Sequence, residues 1–495
     1  MSQPLLRILL LGSGGRESAL AWKLDQSSLV EKIYVLPGNG GTATSSKDPL
    51  SKIANISLSV ENDYPYLVSI ARHLSINFVI PSTNTHIVNG LESHFREAGI
   101  PCFGPTKLAA QIEGSKVFAK DFMRRHHIPT AKYRAFSTYE DAVLHMHSLK
   151  KHNNFVIKAS GLGSRKGVIL PSSKGDALEA LQSIMVDKVF GSAGDEVIIE
   201  DRLFGYEISL LTFSDGIAFS SLSPAQGIFE KNLGPNKGGI GCYAPCISTP
   251  RALLEQIDIT ILAPTFDGLR CEGIPFAGIL CTRLMITCEG PKVLDYKARF
   301  GDPETQTLLP LLSRDTDLAE AMRACMDSRL DQVSIQISGY KSSVTVTMAS
   351  EGYPGPCITG FPITFDERKM RPGLDGTRRF FHAGTQVASD DILRTTGGRV
   401  MCVNGTSRTL AEARRIAYAG VGIVEFEGAF WRKDIAGTEE DEGLGRRNSG
   451  RSNSSSSSIS SSSSSKDTSD SKGSARKDST SSAVSSADSI LLEKL

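Results

Sequence analysis

A continuous apolar run over residues 5–11 stops at Gly12-Ser13-Gly14-Gly15-Arg16 and hands over to an amphipathic stretch over residues 17–24. An apolar strand without polar alternation is buried on both faces, and a glycine turn leading into a helix begins a βα unit. Two more short runs follow: 33–36, ending at Pro37-Gly38-Asn39-Gly40-Gly41, and 78–80, ending at Pro81-Ser82. Such strands, separated by helices, imply a parallel α/β sheet. The first run meets the glycine turn and no small-residue cleavage site, so a buried strand is a better reading than a signal peptide.

Near residue 114 the pattern changes. A helix is expected over 115–126, then strands over 155–159 and 167–170 joined by a glycine-rich loop, an antiparallel hairpin able to fold over a ligand. Beyond residue 335, residues 343–348 alternate like a strand, 398–403 form another, and 409–419 have helical spacing. The expected class is mixed α/β and α+β. Its parts are a parallel α/β domain over 1–113, a core over 114–334 that contains this hairpin, a small α+β domain over 335–436 and a tail over 437–495. The tail is Ser-dominated and nearly free of large apolar side chains before Ile490, too little to offset the entropy of ordering, so it is expected to be disordered. Arg446-Arg447-Asn448-Ser449 would suit a basic-directed kinase, or is simply a solvated charged stretch.

The 495 residues carry a net charge of +1, which argues against non-specific attraction to nucleic acid or an anionic membrane surface. No apolar run reaches bilayer-crossing length. Nine dispersed cysteines fit reduced thiols in the cytoplasm. Cys242 and Cys246 lie close together, but no second pair stands nearby to complete a zinc site.

Three motifs carry chemistry. The turn around Gly14 and Gly15 opens a helix, where backbone N–H groups attract a phosphate, although it lacks dinucleotide-binding spacing and also reads as a plain tight turn. Lys158 and the loop through Arg165, Lys166 and Gly167 place three cations where a triphosphate needs neutralising, if they are not merely solvated. In Asp295-Tyr296-Lys297-Ala298-Arg299-Phe300-Gly301-Asp302-Pro303-Glu304, alternation puts Asp295, Lys297 and Arg299 on one face, as a catalytic stripe or as an edge-strand charge row.

Taken in order, Gly12-Ser13-Gly14-Gly15-Arg16-Glu17, Gly104-Pro105-Thr106-Lys107, Glu113-Gly114-Ser115-Lys116, Gly234-Pro235-Asn236, Arg299-Phe300-Gly301-Asp302-Pro303-Glu304-Thr305-Gln306, His382-Ala383-Gly384-Thr385 and Gly397-Gly398-Arg399-Val400 resemble phosphoribosylamine–glycine ligase, an ATP-grasp family. The resemblance runs from about residue 5 to residue 436. It implies a reaction in which ATP phosphorylates the glycine carboxylate and 5-phosphoribosylamine attacks the acyl phosphate, in purine synthesis. It also implies roles. Lys116, Lys158 and Lys166 would meet nucleotide phosphates, Glu200 and Leu203 the adenine hinge, and Glu207 the ribose. Gly14, Gly15, Arg16, Glu17 and Asp302 would lie near the amine substrate. Arg299 would act catalytically with Lys158, and Asp295 would hold Mg2+ or Mn2+.

The departures from the family pattern cluster at the chemistry. Asp295-Tyr296-Lys297 stands for E-F-N, Ser18 for His, Ser82-Thr83-Asn84-Thr85-His86 for G-P-E-A-P, Pro224-Ala225-Gln226-Gly227 for D-H-K-R, Ser160 for Asp, Arg165 for Gly, and Cys281-Thr282-Arg283 for Y-A-G. A protonated lysine has no lone pair for a metal. Its charge about 4 Å from a dication costs roughly 8 kcal/mol at an effective dielectric near 20. Lys297 therefore swings away, replaces a metal charge with its own, or ends catalysis. The expectation is an ATP-dependent carboxylate–amine ligase using ATP with Mg2+ or Mn2+ on small-molecule substrates, an amino acid and an amine. The alternatives are a diverged paralogue with another substrate pair, and a non-catalytic nucleotide-binding protein whose tail binds protein partners.

Overall fold

The computed structural model describes residues 4–45, 50–58, 63–149, 154–162, 167–227, 239–246, 248–369 and 376–437. The chain divides into two units, Met1–Ala436 and Gly437–Leu495, and all elements described belong to the first. Lys166 and Arg165 of the glycine loop, Gly234-Pro235-Asn236, and the Ser-rich tail past residue 437 lie outside the described residues.

Four strands, β1 (Leu6–Gly12), β2 (Val30–Pro37), β3 (Ile53–Asn55) and β4 (Phe78–Pro81), form a parallel sheet in the order β3-β2-β1-β4. Six of the seven β1 residues are buried, as a run without alternation requires. The helix α1 (Gly15–Leu24) corrects the amphipathic reading, since nine of its ten residues are buried. It is packed by β1 and also by elements from far along the chain, so even Lys23 is enclosed and donates to the Ser313 carbonyl at 3.1 Å.

The helix α2 (Lys116–Arg125) starts at Ser115, whose Oγ accepts the Phe118 N–H at 3.1 Å as an N-cap. The strands β5 (Tyr133–Phe136), β6 (Phe155–Ala159), β7 (Val168–Ile169) and β8 (Val197–Asp201) pair antiparallel as β5-β8-β6-β7. A second antiparallel sheet holds β9 (Tyr206–Asp215), β10 (Phe219–Ser221), β11 (Ala277–Thr287) and β12 (Gly290–Lys297) in the order β10-β9-β11-β12. Gly205 connects the two sheets at φ +154°, and a Cβ there would sit 1.9 Å from the Ile286 carbonyl oxygen. Only glycine lets the chain cross β11 so closely.

After the short helix α3 (Glu304–Leu308) come β13 (Ser342–Ser350), β14 (Gly376–His382), β15 (Arg399–Ser407) and the helix α4 (Leu410–Val421). β15 lies between β13 and β14, antiparallel to both, and α4 packs against it. Alternation in β13 suggests one wet face, yet all nine positions are buried. Its polar face turns to neighbours instead: Thr345 accepts from Thr307 at 2.9 Å, and Asn404 donates to Ser343 at 2.8 Å. That buried polar layer fixes α3, the helix carrying Glu304, Thr305 and Gln306, against the C-terminal sheet. Among the described residues no helix is long and apolar enough to cross a membrane.

Candidate active site

A cleft of about 3030 Å³ runs from the β6–β8 sheet, past β12, to the glycine turn before α1. That is several times the volume of a site for one small molecule, and leaves room for more than one substrate. At its deep end, Glu200 on β8 is 4% exposed and lies between two ammonium groups, Lys158 Nζ on β6 at 2.5 Å and Lys120 Nζ on α2 at 2.7 Å. Burial would raise the Glu200 carboxyl, but Lys158 and Lys120 outweigh it and hold it below its usual range. Burial drives Lys120 down from 10.5 to about 8, with Glu200 resisting. Lys116 stands one helical turn from Lys120 and donates to the Gly161 carbonyl at 3.2 Å. Burial lowers it as well, against the pull of Asp295. Two cations around one carboxylate, with a third beside them, leave positive charge in excess where a triphosphate is expected.

On β12, Asp295 and Lys297 line the cleft, while Tyr296 turns to the core and meets Thr265 Oγ1 at 2.8 Å. Arg283 on β11 sits directly opposite Asp295 in the antiparallel register. Its guanidinium forks, one nitrogen 2.7 Å from Asp295 Oδ2 and the other 2.8 Å from Glu207 Oε2. Burial would raise the Asp295 carboxyl, but Arg283 and then Lys297 hold it below the usual range. Lys297 Nζ lies 3.8 Å from Glu304 Oε1, and Glu304 is likewise held low against burial, chiefly by Lys297. These residues do not fit a divalent cation. Asp295 Oδ1 and Glu304 Oε2 are buried and unpartnered, but each carboxylate already has a fixed cation beside it. Among the described residues no group of three or more His, Cys, Asp or Glu is placed to hold a metal. A dication about 4 Å from either neighbour would meet roughly 8 kcal/mol of repulsion.

At the other end, Arg16 and Arg299 converge, both donating to the Phe300 carbonyl, at 3.3 and 3.0 Å. Asp302 Oδ2 pairs with Arg399 at 2.6 Å and Oδ1 accepts from Gln306 at 2.9 Å. Burial is again outweighed, here by Arg399 and Arg16, and Asp302 stays far below the usual carboxylate range. Arg399 Nη1 is a buried donor with no hydrogen-bond acceptor among the described residues, the state expected of a group that awaits an anion, while Arg299 Nε faces the Glu113 carboxylate at 3.6 Å, beyond hydrogen-bond distance.

Gly14, Arg16, Lys116, Lys158, Glu200, Leu203, Glu207, Asp295, Arg299 and Asp302 therefore share one cleft, whereas Gly15 and Glu17 do not line it. Glu17 is 2% exposed; its carboxylate accepts the Gly14 N–H at 2.6 Å and the Arg16 Nε–H at 2.7 Å. That uses one of the turn's anion-binding N–H groups and makes Glu17 a cap. Gly15 is a packing position, where a Cβ would approach Gln306 Nε2 at 2.9 Å. Glu200 and Glu207 are committed to lysines and to Arg283 respectively, so their carboxylates are anchors as well as walls of the cleft. Sequence reasoning gave no site role to Lys120, Glu113 or Arg399. The spacing of Lys120, four residues after Lys116, was the available signal. Glu113 accepts the Ala298 N–H at 2.7 Å and lies 3.6 Å from Arg299, a contact that no spacing announces.

Comparison with known proteins places the chain in a family. The chain matches models for phosphoribosylglycinamide synthetase: its N domain over residues 6–113, its ATP-grasp (A) domain over 114–305 and its C domain over 343–438. It is 50% identical over 431 residues to the bifunctional purine biosynthetic protein ADE1 of Schizosaccharomyces pombe, covering 86% of this chain and 53% of that protein. The chain thus spans about half the length of that fungal relative. It is 40% identical over 438 residues to phosphoribosylamine–glycine ligase of Allochromatium vinosum, covering 87% of this chain and 98% of that one. The crystal structure of the Thermotoga maritima phosphoribosylamine–glycine ligase superposes with a TM-score of 0.73 at 28% identity, over 87% of this chain and all of that one. The chain belongs to the phosphoribosylglycinamide synthetase family of ATP-grasp ligases, whose membership implies ATP and a divalent metal such as Mg2+.

Proposed function

We propose that this chain is an ATP-dependent carboxylate–amine ligase with the activity of phosphoribosylamine–glycine ligase. The observation that carries the reading is the convergence of Arg16 and Arg299 on the Phe300 carbonyl, with the Arg399 Nη1 donor beside them lacking a hydrogen-bond acceptor among the described residues. A phosphorylated carboxylate and a phosphoribosyl group are both anions, and they must meet between such donors. In the first step a glycine carboxylate oxygen attacks the γ-phosphorus, the bond to the β-phosphate oxygen breaks, and ADP leaves. Lys116 and Lys158 steady the phosphates, and Arg299 takes up charge on the phosphoryl group in flight. In the second step the amine nitrogen attacks the acyl carbon, phosphate departs with the electron pair, and the nitrogen loses a proton. Arg16 holds the phosphoribosyl group beside Gly14, and Asp302, tied to Arg399, keeps that wall of the cleft in place. No step is assigned to a metal, because the residues present do not fit one.

A second reading, a nucleotide-binding protein without ligase turnover, is favoured by Lys297 and Arg283 at the carboxylates. Full-length protein given ATP, glycine and 5-phosphoribosylamine, in parallel with Mg2+ and with EDTA, is expected to release ADP only when both substrates are present. Nucleotide binding without ADP release under those conditions would leave the second reading.

A further inference from the structure

Resting on the nucleotide reading above, we propose that the Arg283 guanidinium and the Lys297 ammonium occupy the role of the divalent cation, so that this cleft takes ATP as the free polyanion and not as its metal complex. Register makes the arrangement permanent. Arg283 and Asp295 are direct cross-strand partners on β11 and β12, the geometry in which opposite charges on a sheet pair best. The fork to Glu207 then anchors the second nitrogen, so the planar group is fixed from both sides. A guanidinium does not lose its proton in a protein, so this charge cannot be switched off to admit a metal.

Lys297 completes the pair. Among the described residues its ion-pair partner is Glu304 at 3.8 Å, beyond hydrogen-bond distance, so its three N–H groups remain to be satisfied from the cleft. Together the two side chains bring two positive charges, the charge of one magnesium ion. With all groups ionised, Lys116, Lys120, Lys158, Arg283 and Lys297 supply five positive charges against four negative ones on Glu200, Glu207, Asp295 and Glu304, and the neighbouring Asp201 and Arg202 cancel. The nucleotide end is thus net positive before any ion enters. A ligand set for a dication would need the opposite balance.

Calorimetric titration of the full chain with ATP, once in EDTA and once in excess Mg2+, tests this directly. The affinity in EDTA is expected to exceed that in excess Mg2+ by about tenfold or more, because excess Mg2+ converts the free polyanion to the complex that this cleft excludes. Electron paramagnetic resonance of added Mn2+ with ATP should show no stoichiometric protein-bound ion. In the double variant R283G/K297N, ATP binding in EDTA should weaken by about tenfold or more and recover with Mg2+. If that variant fails to fold, the wild-type titrations and the Mn2+ spectrum decide alone. Wild-type affinity that is no higher in EDTA than in excess Mg2+, or a stoichiometric protein-bound Mn2+, would overturn this inference while leaving the nucleotide reading intact. No ATP binding in either buffer would end both.

Discussion

The two ends of the cleft use charge in opposite ways. At the nucleotide end, cations exceed anions, and Glu200 is shared between Lys120 and Lys158. At the glycine-turn end, the conserved-looking motif residues are largely consumed by the fold. Glu17 caps its own turn, Gln306 binds Asp302, and Asp302 neutralises Arg399. The difference teaches that a motif residue near a site is not thereby a ligand contact: at one end paired charges still leave a net positive wall, at the other most motif side chains are spent on one another.

The comparison is most exposed to Glu200→Gln. Removing the anion leaves two buried ammonium groups facing each other, and the loss should reach roughly 3–5 kcal/mol, read by urea denaturation, with ATP binding altered as well. Asp302→Asn is the matching change at the other end. It strands Arg399 but keeps the hydrogen bond to Gln306, so about 2–3 kcal/mol is expected, with ATP affinity unchanged because distant sites behave independently. Equal damage to ATP binding by both variants would mean that the ends form one network.

The remaining effects are in pH. Burial lowers His382, packed over Gly41 at the glycine-turn end, from 6.5 to about 4. Between those values the unfolded chain binds a proton that the folded one refuses. Stability should therefore fall as pH drops from 6.5 towards 4, by about 2–3 kcal/mol once partial exposure of the ring is allowed for. His382→Gln should flatten that slope. Lys120 acts on the alkaline side, where its lowered pKa means the unfolded chain again holds more protons, so stability rises with pH from about 8. The gain is about 1 kcal/mol by pH 9 and is absent in Lys120→Met. Above 9 the buried Cys102 and Cys242 thiols, raised by burial, work in the opposite direction. A chain whose stability did not respond to acid through His382 would remove the contrast in titration between the ends.

Much of the scaffold was legible in the residues. The run in β1, the glycine turn, the Ser115 cap and the hairpin of β6 and β7 all follow from neighbours within a few positions. Lys158, Arg299 and Asp295 stood out by charge in apolar or alternating surroundings. Arg283 was visible only as an oddity, because its meaning depends on a hairpin register that includes an irregularity between Arg283 and Leu284. Lys120 was passed over because a lysine on a helix is usually solvated; here it is 2% exposed.

By itself the sequence determined roughly where several strands lie, though not their ends, which turns need glycine, and which residues bring charge, since backbone sterics and burial periodicity act over short stretches of chain. Only the tertiary structure decided which charges neutralise one another: Arg283 reaches Glu207, 76 positions away, and Asp295, 12 away, in one fork. It also decided that the polar face of β13 is covered rather than wet. Coulomb attraction and desolvation depend on separation in space and on what surrounds the pair, and neither quantity is a function of position along the chain.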